Sequence, residues 1–346
     1  MPSRCNGKQI FLVVLVITIN YHSPTVTTVA EKNYRAGGAR MKIALFGIGG
    51  VGGIVGGALA RSHAETYFYV RGENLNAIRR NGLTVQSVLW GDFVAHPKRA
   101  SDKAAELGIM DAIFVSCKGN SLKAACEAIT PMAGPETVVI PLLNGVIVSD
   151  IMEPLLPPCI LADGTIRVFS RLEKPGHIVQ SAGLCSIVFG MKDGSKPAKL
   201  EELAAILNNA GVKTTVSGNI LVESWAKYAI MCGNSTVLCY YDAPVGKVRE
   251  NPDHETVLRA VSGELTAVAA AKGVTLPGET TDRFVDDFSK MPPDTMTSLY
   301  RDLSGGKPAN ETELDHIIGR MVTFGQQTGV PTPYHKAAYE RFVKRG

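Results

Sequence analysis

Three glycines at the spacing G-x-G-x-x-G (Gly47, Gly49 and Gly52) follow an apolar segment and precede a helix-like one. In dinucleotide-binding proteins the first such glycine permits a tight turn, the second lets the backbone approach a pyrophosphate, and the third allows close packing of helix on strand. Free N–H groups at the start of the helix favour an anion there. The motif therefore predicts a dinucleotide site, against the alternative of a glycine-rich turn without a ligand.

The residue that ends the next predicted strand, Thr66–Val70, indicates which dinucleotide is bound. An NAD site usually has Asp or Glu at this point, to accept a hydrogen bond from the ribose 2′-hydroxyl. Here Val70 ends the strand and Arg71 follows it. The nearest acid, Glu73, is two residues further on and could accept from the ribose only from the loop. A guanidinium suits the 2′-phosphate of NADP, so Arg71 favours NADP over NAD. The plainer alternative for Arg71 is a solvated surface charge.

Two further polar residues end predicted buried strands. Asp111–Cys117 is followed by Lys118, and Thr137–Leu143 is followed by Asn144. Ligands of open α/β sheets lie beyond the carboxyl ends of the strands, so both residues are candidates to line the cofactor crevice. The alternatives are a surface lysine at a helix start and ordinary Asn-Gly turn chemistry.

Lys227 lies within a mostly apolar stretch of the second half, WAKYAIMCGNSTVL. A charged residue stands out in such surroundings, and its plain explanation is an ion pair with Glu223 four residues earlier. Glu313 is either a ligand-binding acid or a first-turn acid that complements a helix dipole.

The elements that position these residues change character along the chain. The first strand is Met41–Phe46, and later strands and one helix precede Gly218: Cys159–Phe169, His177–Gln180, Ser186–Gly190 and the helix Lys199–Gly211. Helical periodicity then predicts Ile220–Tyr241, Glu255–Lys272, Thr280–Lys290 and Glu311–Gly329. The sequence therefore predicts an α/β protein, with an N-terminal Rossmann-type dinucleotide-binding domain over 41–217 and an all-helical C-terminal domain over 218–346.

Composition narrows the function classes. The chain has 346 residues, of which 45% are hydrophobic and 20% charged, as expected of a globular protein long enough for two domains. Its net charge of +4 arises entirely within residues 1–40, so the neutral remainder does not indicate a nucleic-acid surface. Seven scattered cysteines without a C-x-x-C pair predict reduced thiols, and no metal-ligand spacing is present.

Residues 1–40 differ from the rest because Ile10–Ile19 is an apolar run behind two basic residues. The run resembles a signal-peptide core and is too short for a stable membrane span, so these residues are a targeting leader or an upstream extension. Two observations favour a cytoplasmic protein over a secreted one. The chain has many free cysteines, and a glycan at either acceptor, Asn234 or Asn310, would obstruct the candidate site.

Residues 41–346 resemble the ketopantoate reductase (2-dehydropantoate 2-reductase) family. The motifs that carry the resemblance, in the order found in the family, are MKIALFGIGGVGG, VRGE, VSCK, LLNG, ESWAKYAIM, APVGKVRENP, TSLYRD, TELDHIIG and GVPTP. The resemblance implies NADPH-dependent reduction of a small 2-oxo acid, with ketopantoate or a close relative as the substrate.

The resemblance also implies roles for individual residues. Lys227 matches the general acid of the family, and Asn144 matches the asparagine that positions this lysine and the nicotinamide side. Glu313 matches the glutamate that binds the substrate hydroxyl, and Ser298 matches the serine that contacts the substrate carboxylate. Arg71 and Lys118 match residues that hold the adenosine phosphate of NADPH.

The chain departs from the family pattern beside the substrate. Ketopantoate reductases have asparagines four and eight residues after the lysine, whereas this chain has Met231 and Ser235, with Asn234 adjacent. Ser235 and Asn234 remain candidate substrate ligands, but one polar contact is lost at Met231. Ala309–Glu311 resembles a small insertion beside Glu313.

These departures leave the substrate more open than the reaction. The alternatives are a family member that reduces another 2-oxo acid or carbonyl compound, a dehydrogenase of opines or polyol phosphates, and an NADP-binding sensor without catalysis. The last two are disfavoured by the joint presence of Lys227, Asn144, Ser298 and Glu313. The sequence leaves open whether the chain forms a homodimer.

Overall fold

A computed structural model describes residues 40–345, which form sheets over the first half of the chain and helices over the second. The strands are β1 Ile43–Phe46, β2 Thr66–Tyr69, β3 Leu83–Ser87, β4 Phe93–Ala95, β5 Arg99–Ser101, β6 Ala112–Val115, β7 Val138–Pro141, β8 Ile160–Leu161, β9 Asp163–Lys174, β10 His177–Gly190 and β11 Lys213–Val216. The leader predicted over residues 1–40, with its apolar run, lies outside the described residues except for Arg40.

Six of the α-helices within residues 40–345 precede β11, and seven, including the two longest, follow it. They are α1 Gly50–Ser62, α2 Gly72–Asn81, α3 Ala104–Leu107, α4 Leu122–Ile129, α5 Ser149–Met152, α6 Ala198–Asn209, α7 Ile220–Tyr241, α8 Val245–Arg249, α9 His254–Ala271, α10 Thr280–Lys290, α11 Ser298–Ser304, α12 Arg320–Thr328 and α13 Pro333–Val343.

The first sheet is parallel, with the strand order β5-β2-β1-β6-β7-β8. Its central strands are apolar and buried along their whole length because helices cover both faces. The carboxyl ends of β1, β2, β6 and β7 therefore lie along one edge. This sheet, followed by the helical second half, confirms the predicted α/β class with a Rossmann-type domain ahead of a helical one.

A second, mixed sheet has the order β11-β10-β3-β4, with β9 antiparallel to β10. Helix α1 packs between the two sheets, because its Gly56 faces Phe68 of the first and its Gly53 faces Ile178 of the second. The prediction of separate strands at His177–Gln180 and Ser186–Gly190 was wrong. The residues between them, 181–185, form a register irregularity within one long strand, β10.

The helical half is organised around α7, whose bounds agree with the prediction. Trp225 and Tyr228 of α7 are fully buried in the core of this half. The prediction of one continuous helix over Glu311–Gly329 was wrong. A 3₁₀ turn (Ala309–Glu311) ends at the first residue of that segment, a π-helical turn (Asp315–Gly319) follows, and only then does α12 begin. Within residues 40–345, no helix combines the length and apolar character needed to cross a membrane.

A buried acid–histidine pair joins α9 to α13. Glu264 accepts hydrogen bonds from the backbone N–H groups of Tyr334 and His335, and its Oε2 lies 2.5 Å from His335 Nδ1. Burial alone lowers the pKa of His335, but contacts with Cys232 and Glu264 outweigh it and raise that pKa to about 9. The imidazolium is therefore the stabilised form in the folded protein.

Because the folded-state pKa of His335 is raised, the pair stabilises the protein fully below the unfolded-state value of about 6.5, and this contribution is lost as pH rises through about 9. We expect His335→Gln to lower the free energy of unfolding by roughly 3–5 kcal/mol near pH 6 and by less near pH 9.5. Urea unfolding of both proteins at the two pH values checks this. A difference that does not change with pH would contradict it.

Candidate active site

The glycine turn after β1 is a bare stretch of backbone. Gly47 has a φ of +88°, and a Cβ there would lie 2.8 Å from the carbonyl oxygen of Ser116 at the end of β6. Ser116 Oγ donates to the Gly47 carbonyl at 2.8 Å, so the turn is fixed against the neighbouring strand. A Cβ at Gly52 would overlap both that carbonyl and Ser116 Oγ. The glycines at 47 and 52 are thus required by packing within the protein itself.

Gly49 differs because no other part of the chain occupies the space around it. A Cβ at Gly49 would meet no atom within 4 Å. Helix α1 starts immediately afterwards, with no side-chain cap and no acidic residue in its first turn. Unpaired N–H groups and the positive end of the helix dipole therefore face open space, which suits a phosphate group.

Two of the predicted phosphate ligands lie on the same edge of the first sheet. Arg71 follows β2 at the N-terminus of α2, and Lys118 follows β6. Both side chains are exposed. Within residues 40–345, neither has a carboxylate within 4.0 Å, so both remain available to an anion.

The structure brings Asn144 and Glu313 together although they are 169 residues apart. Asn144 lies beyond the carboxyl end of β7, and its Nδ2 donates to Glu313 Oε2 at 3.3 Å. Both residues are half-buried. The contact joins the edge of the first sheet to the helical half, at the point where the two halves meet.

Lys227 projects from α7 into the same region and is half-buried. Burial and, to a smaller extent, the positive charge of Arg167 lower the pKa of its ammonium, the negative charge of Glu313 partly opposes both, and the resulting pKa is about 8. No ion pair joins Lys227 to Glu223 in the part of the chain that the structure describes. The alternative of a simple helix-surface pair thus lacks its contact.

The sequence reasoning missed His316. Its Nε2 lies 2.5 Å from the Asn144 carbonyl oxygen, and a Cβ at Gly145 would lie 2.5 Å from the same nitrogen. Burial lowers the pKa of His316, so the neutral ring donates from Nε2 to that carbonyl near neutral pH. His316 therefore fixes the loop that carries Asn144. The TELDH motif was the available signal, but only the fold shows what the histidine contacts.

The π-helical turn explains how Glu313 and His316 reach the sheet edge. Its wider winding frees the carbonyl of Ile317, which accepts a 2.6 Å hydrogen bond from the hydroxyl of Tyr228. Just before it, Thr312 Oγ1 accepts from the backbone N–H of Leu314. Tyr228 is buried and lies next to Lys227 on α7, so its hydrogen bond holds the π-helical turn against the helix that carries Lys227.

Three predicted substrate ligands make no hydrogen bond or ion pair with Lys227, Asn144 or Glu313 in the described part of the chain. Ser298 is exposed at the first turn of α11. Asn234 and Ser235 are buried in α7, and within the described residues Asn234 Oδ1 and Ser235 Oγ have no hydrogen-bond partner. Met231 packs against the core of the helical half. The described residues contain no group of three or more His, Cys, Asp or Glu arranged to hold a metal ion.

Comparisons with known proteins point to one family along most of the chain. Residues 43–194 match the family model "Ketopantoate reductase PanE/ApbA", and residues 219–344 match the model of its C-terminal part. A 2-dehydropantoate 2-reductase of Mesorhizobium japonicum is 26% identical over 313 residues, covering 85% of this chain and 94% of that protein.

Solved structures show the same fold. A PanE/ApbA family ketopantoate reductase from Ralstonia eutropha JMP134 superposes with a TM-score of 0.78 and 28% identity, over 88% of this chain and 98% of that one. A D-mandelate dehydrogenase, solved with NADH and anilino(oxo)acetate, has a TM-score of 0.75 and 24% identity, over the same shares of the two chains. This second likeness concerns the fold alone.

The open space at Gly49 generates a test of the glycine turn. Because Gly49 has a φ of −91° and free surroundings, we expect Gly49→Ala to change the free energy of unfolding by less than about 0.5 kcal/mol. The added methyl group would occupy the space required by a pyrophosphate, so the Kd of the dinucleotide should rise roughly tenfold or more. Calorimetric titration and urea unfolding measure the two effects.

The matched control is Gly263→Ala, on the exposed side of α9, which also has no atom within 4 Å of its added Cβ. It should leave the dinucleotide Kd unchanged. Unaltered dinucleotide affinity in Gly49→Ala would show that the cofactor does not lie against this turn.

Proposed function

Since this chain belongs to the ketopantoate reductase family and is an oxidoreductase acting on CH–OH groups, we propose that it uses NADPH to reduce a small 2-oxo acid to the 2-hydroxy acid. The substrate we favour is 2-dehydropantoate, which is reduced to pantoate in the biosynthesis of pantothenate and coenzyme A. The observation that carries the proposal is the meeting of Lys227, Asn144 and Glu313 where the first sheet faces α7.

The residues at the sheet edge fit a phosphorylated dinucleotide. The open backbone at Gly49 and the uncapped start of α1 suit the pyrophosphate. Arg71 and Lys118, both exposed, supply positive charge for the 2′-phosphate. When bound there, NADPH supplies the hydride, and Asn144 orients the nicotinamide side from the end of β7.

Lys227 is the proton donor in this proposal. Hydride addition to a carbonyl carbon leaves negative charge on the oxygen, which must be stabilised and protonated. An ammonium with a pKa of about 8 is charged at neutral pH and releases its proton more readily than a solvated lysine. In this proposal Glu313, which lies within electrostatic range of the ammonium, binds the substrate hydroxyl, while Asn144 holds the Glu313 carboxylate in place.

The residues that follow Lys227 on α7 favour a close relative of ketopantoate as the alternative substrate. Met231 lies one helical turn beyond Lys227 and offers no hydrogen bond to a polar substrate group. Ser235 and Asn234 retain unpartnered oxygens further along the same helix, and Ser298 is exposed on α11. A 2-oxo acid with fewer polar groups therefore suits these side chains, or another carbonyl compound of similar size.

We place the protein in a reducing compartment, the cytoplasm. The six cysteines within residues 40–345 are all free thiols, and NADPH is a cytoplasmic reductant. Whether the chain acts as a monomer or as a homodimer does not enter the proposed chemistry.

Arg71 provides the test of cofactor choice. We expect Arg71→Ala to weaken NADPH binding by about 1.5–3 kcal/mol through the loss of a charge-assisted contact. The Kd of NADH should barely change, because NADH lacks the 2′-phosphate. Titration of both cofactors against wild type and variant gives the comparison. Equal weakening of the two cofactors would show that Arg71 does not contact that phosphate.

Lys227 provides the test of the mechanism. Lys227→Ala should lower kcat by roughly 10²–10⁴-fold, as expected for the loss of general acid catalysis, with little change in the Kd of NADPH. In the wild type, kcat/KM for reduction should fall above about pH 8 as the ammonium loses its proton. This alkaline limb should be absent from the Ala variant.

The control for Lys227 is Glu223→Gln, one helical turn away. It should keep normal turnover and change stability by only a few tenths of a kcal/mol. Near-normal turnover in Lys227→Ala would exclude Lys227 as the acid, and a loss of turnover in Glu223→Gln equal to that in Lys227→Ala would favour a structural ion pair.

A further inference from the structure

Arg167 takes no part in the proposed hydride and proton transfer, although its positive charge lowers the pKa of Lys227. It lies on β9 opposite Ser186 of β10, and the preceding residue, Ile166, is buried in the core. Successive side chains of a strand point to opposite faces, so Arg167 points away from that core. Helix α7 packs along β9, which places Arg167 within electrostatic range of Lys227.

The path of β9 places Arg167 between the two parts of the site. At its start, a Cβ at Gly164 would lie 2.9 Å from the carbonyl oxygen of Pro141, the last residue of β7. Further along, the Ser170 carbonyl underlies Gly50 in the first turn of α1, where an added Cβ would lie 2.5 Å from it. Arg167 therefore lies between the loop of Asn144 and the glycine turn.

The charges at this point do not balance. Arg167 is half-buried and, within residues 40–345, has no carboxylate within 4.0 Å. Among the described residues Lys227 is also unpaired, and there Glu313 is the single acidic side chain whose charge raises its pKa. Two cations thus face one carboxylate in a partly desolvated region. Such an arrangement favours the binding of one further negative charge.

The geometry of a 2-oxo acid meets this requirement. Its carboxylate is one bond from the carbonyl carbon, so a carbonyl oxygen at Lys227 Nζ places the carboxylate beside it. A guanidinium matches a carboxylate through two parallel hydrogen bonds, which a serine hydroxyl cannot provide. Ser298, implied by resemblance as the carboxylate ligand, is exposed on α11 and carries no charge.

We propose that Arg167 binds the carboxylate of the 2-oxo acid and thereby selects anionic over neutral carbonyl substrates. This inference rests on the proposed function and deepens it. The bound carboxylate also neutralises the positive charge of Arg167, which lowers the pKa of Lys227 in the free enzyme. An anionic substrate therefore keeps Lys227 protonated and ready to donate. The alkaline limb of kcat should therefore lie at higher pH than that of kcat/KM, since kcat reports the substrate complex.

The first experiment compares an acid with its neutral counterpart. Wild type, Arg167→Met and Arg167→Lys are assayed with NADPH, using the 2-oxo acid that the wild type reduces best and the methyl ester of that acid. Arg167→Met should raise the KM of the acid roughly 10- to 100-fold and change kcat/KM for the ester by less than about threefold. Arg167→Lys should recover part of the loss.

The control is Arg99→Met, which removes an exposed cation at the outer edge of the first sheet and should leave both substrates unaffected. The Kd of NADPH should be the same in all variants. An equal loss on acid and ester in Arg167→Met, or an unchanged KM for the acid, would overturn the proposal. Should Arg167→Met fail to fold, Arg167→Gln provides the same comparison.

The second experiment does not depend on turnover. Oxamate, an inert analogue of a 2-oxo acid, is titrated calorimetrically into NADPH-loaded wild type and Arg167→Met. The variant should bind oxamate roughly 10- to 100-fold more weakly. If the wild type reduces no 2-oxo acid but binds oxamate through Arg167, the proposed function fails while the anion site stands. Absent oxamate binding, or binding that does not depend on Arg167, would overturn the site.

Discussion

The partial burial of the Lys227 ammonium is the constraint on which the site depends. Removal of a charge from water is costly, and the nearby guanidinium of Arg167 adds to that cost. Within residues 40–345, Glu313 alone opposes the two effects, so the ammonium keeps its proton only loosely at neutral pH. A substrate with a carboxylate brings one negative charge to these two cations, and hydride addition creates a second on the alkoxide oxygen. The charge of the substrate is thereby linked to proton transfer from Lys227.

The fold supplies this constraint by joining two independently built surfaces. The edge of the parallel sheet offers bare backbone at Gly49 and the amide of Asn144, while α7 offers Lys227. The π-helical turn connects them, since Tyr228 holds its free carbonyl and His316 holds the loop of Asn144. Each surface is therefore tied to the π-helical turn by one hydrogen bond.

Local sequence patterns predicted the elements whose signals are themselves local. The strand–glycine–helix unit and the bounds of α7 follow from apolar periodicity and turn residues. The second sheet and the π-helical turn depend on contacts distant in sequence, so periodicity assigned Glu311–Gly329 to a plain helix. Arg167 and His316 were missed for the same reason, because each gains its importance from a partner on another element.

The most direct measurement is a titration of the Lys227 ammonium itself. Protein labelled with ¹³C at the lysine ε-carbons gives one NMR signal for each lysine, and Lys227→Gln assigns the signal of interest. We expect a midpoint near pH 8 in the wild type, which rises toward the ordinary 10.5 when Arg167 is replaced by Met. A wild-type midpoint near 10.5 that does not respond to Arg167 would contradict the proposed balance of charges.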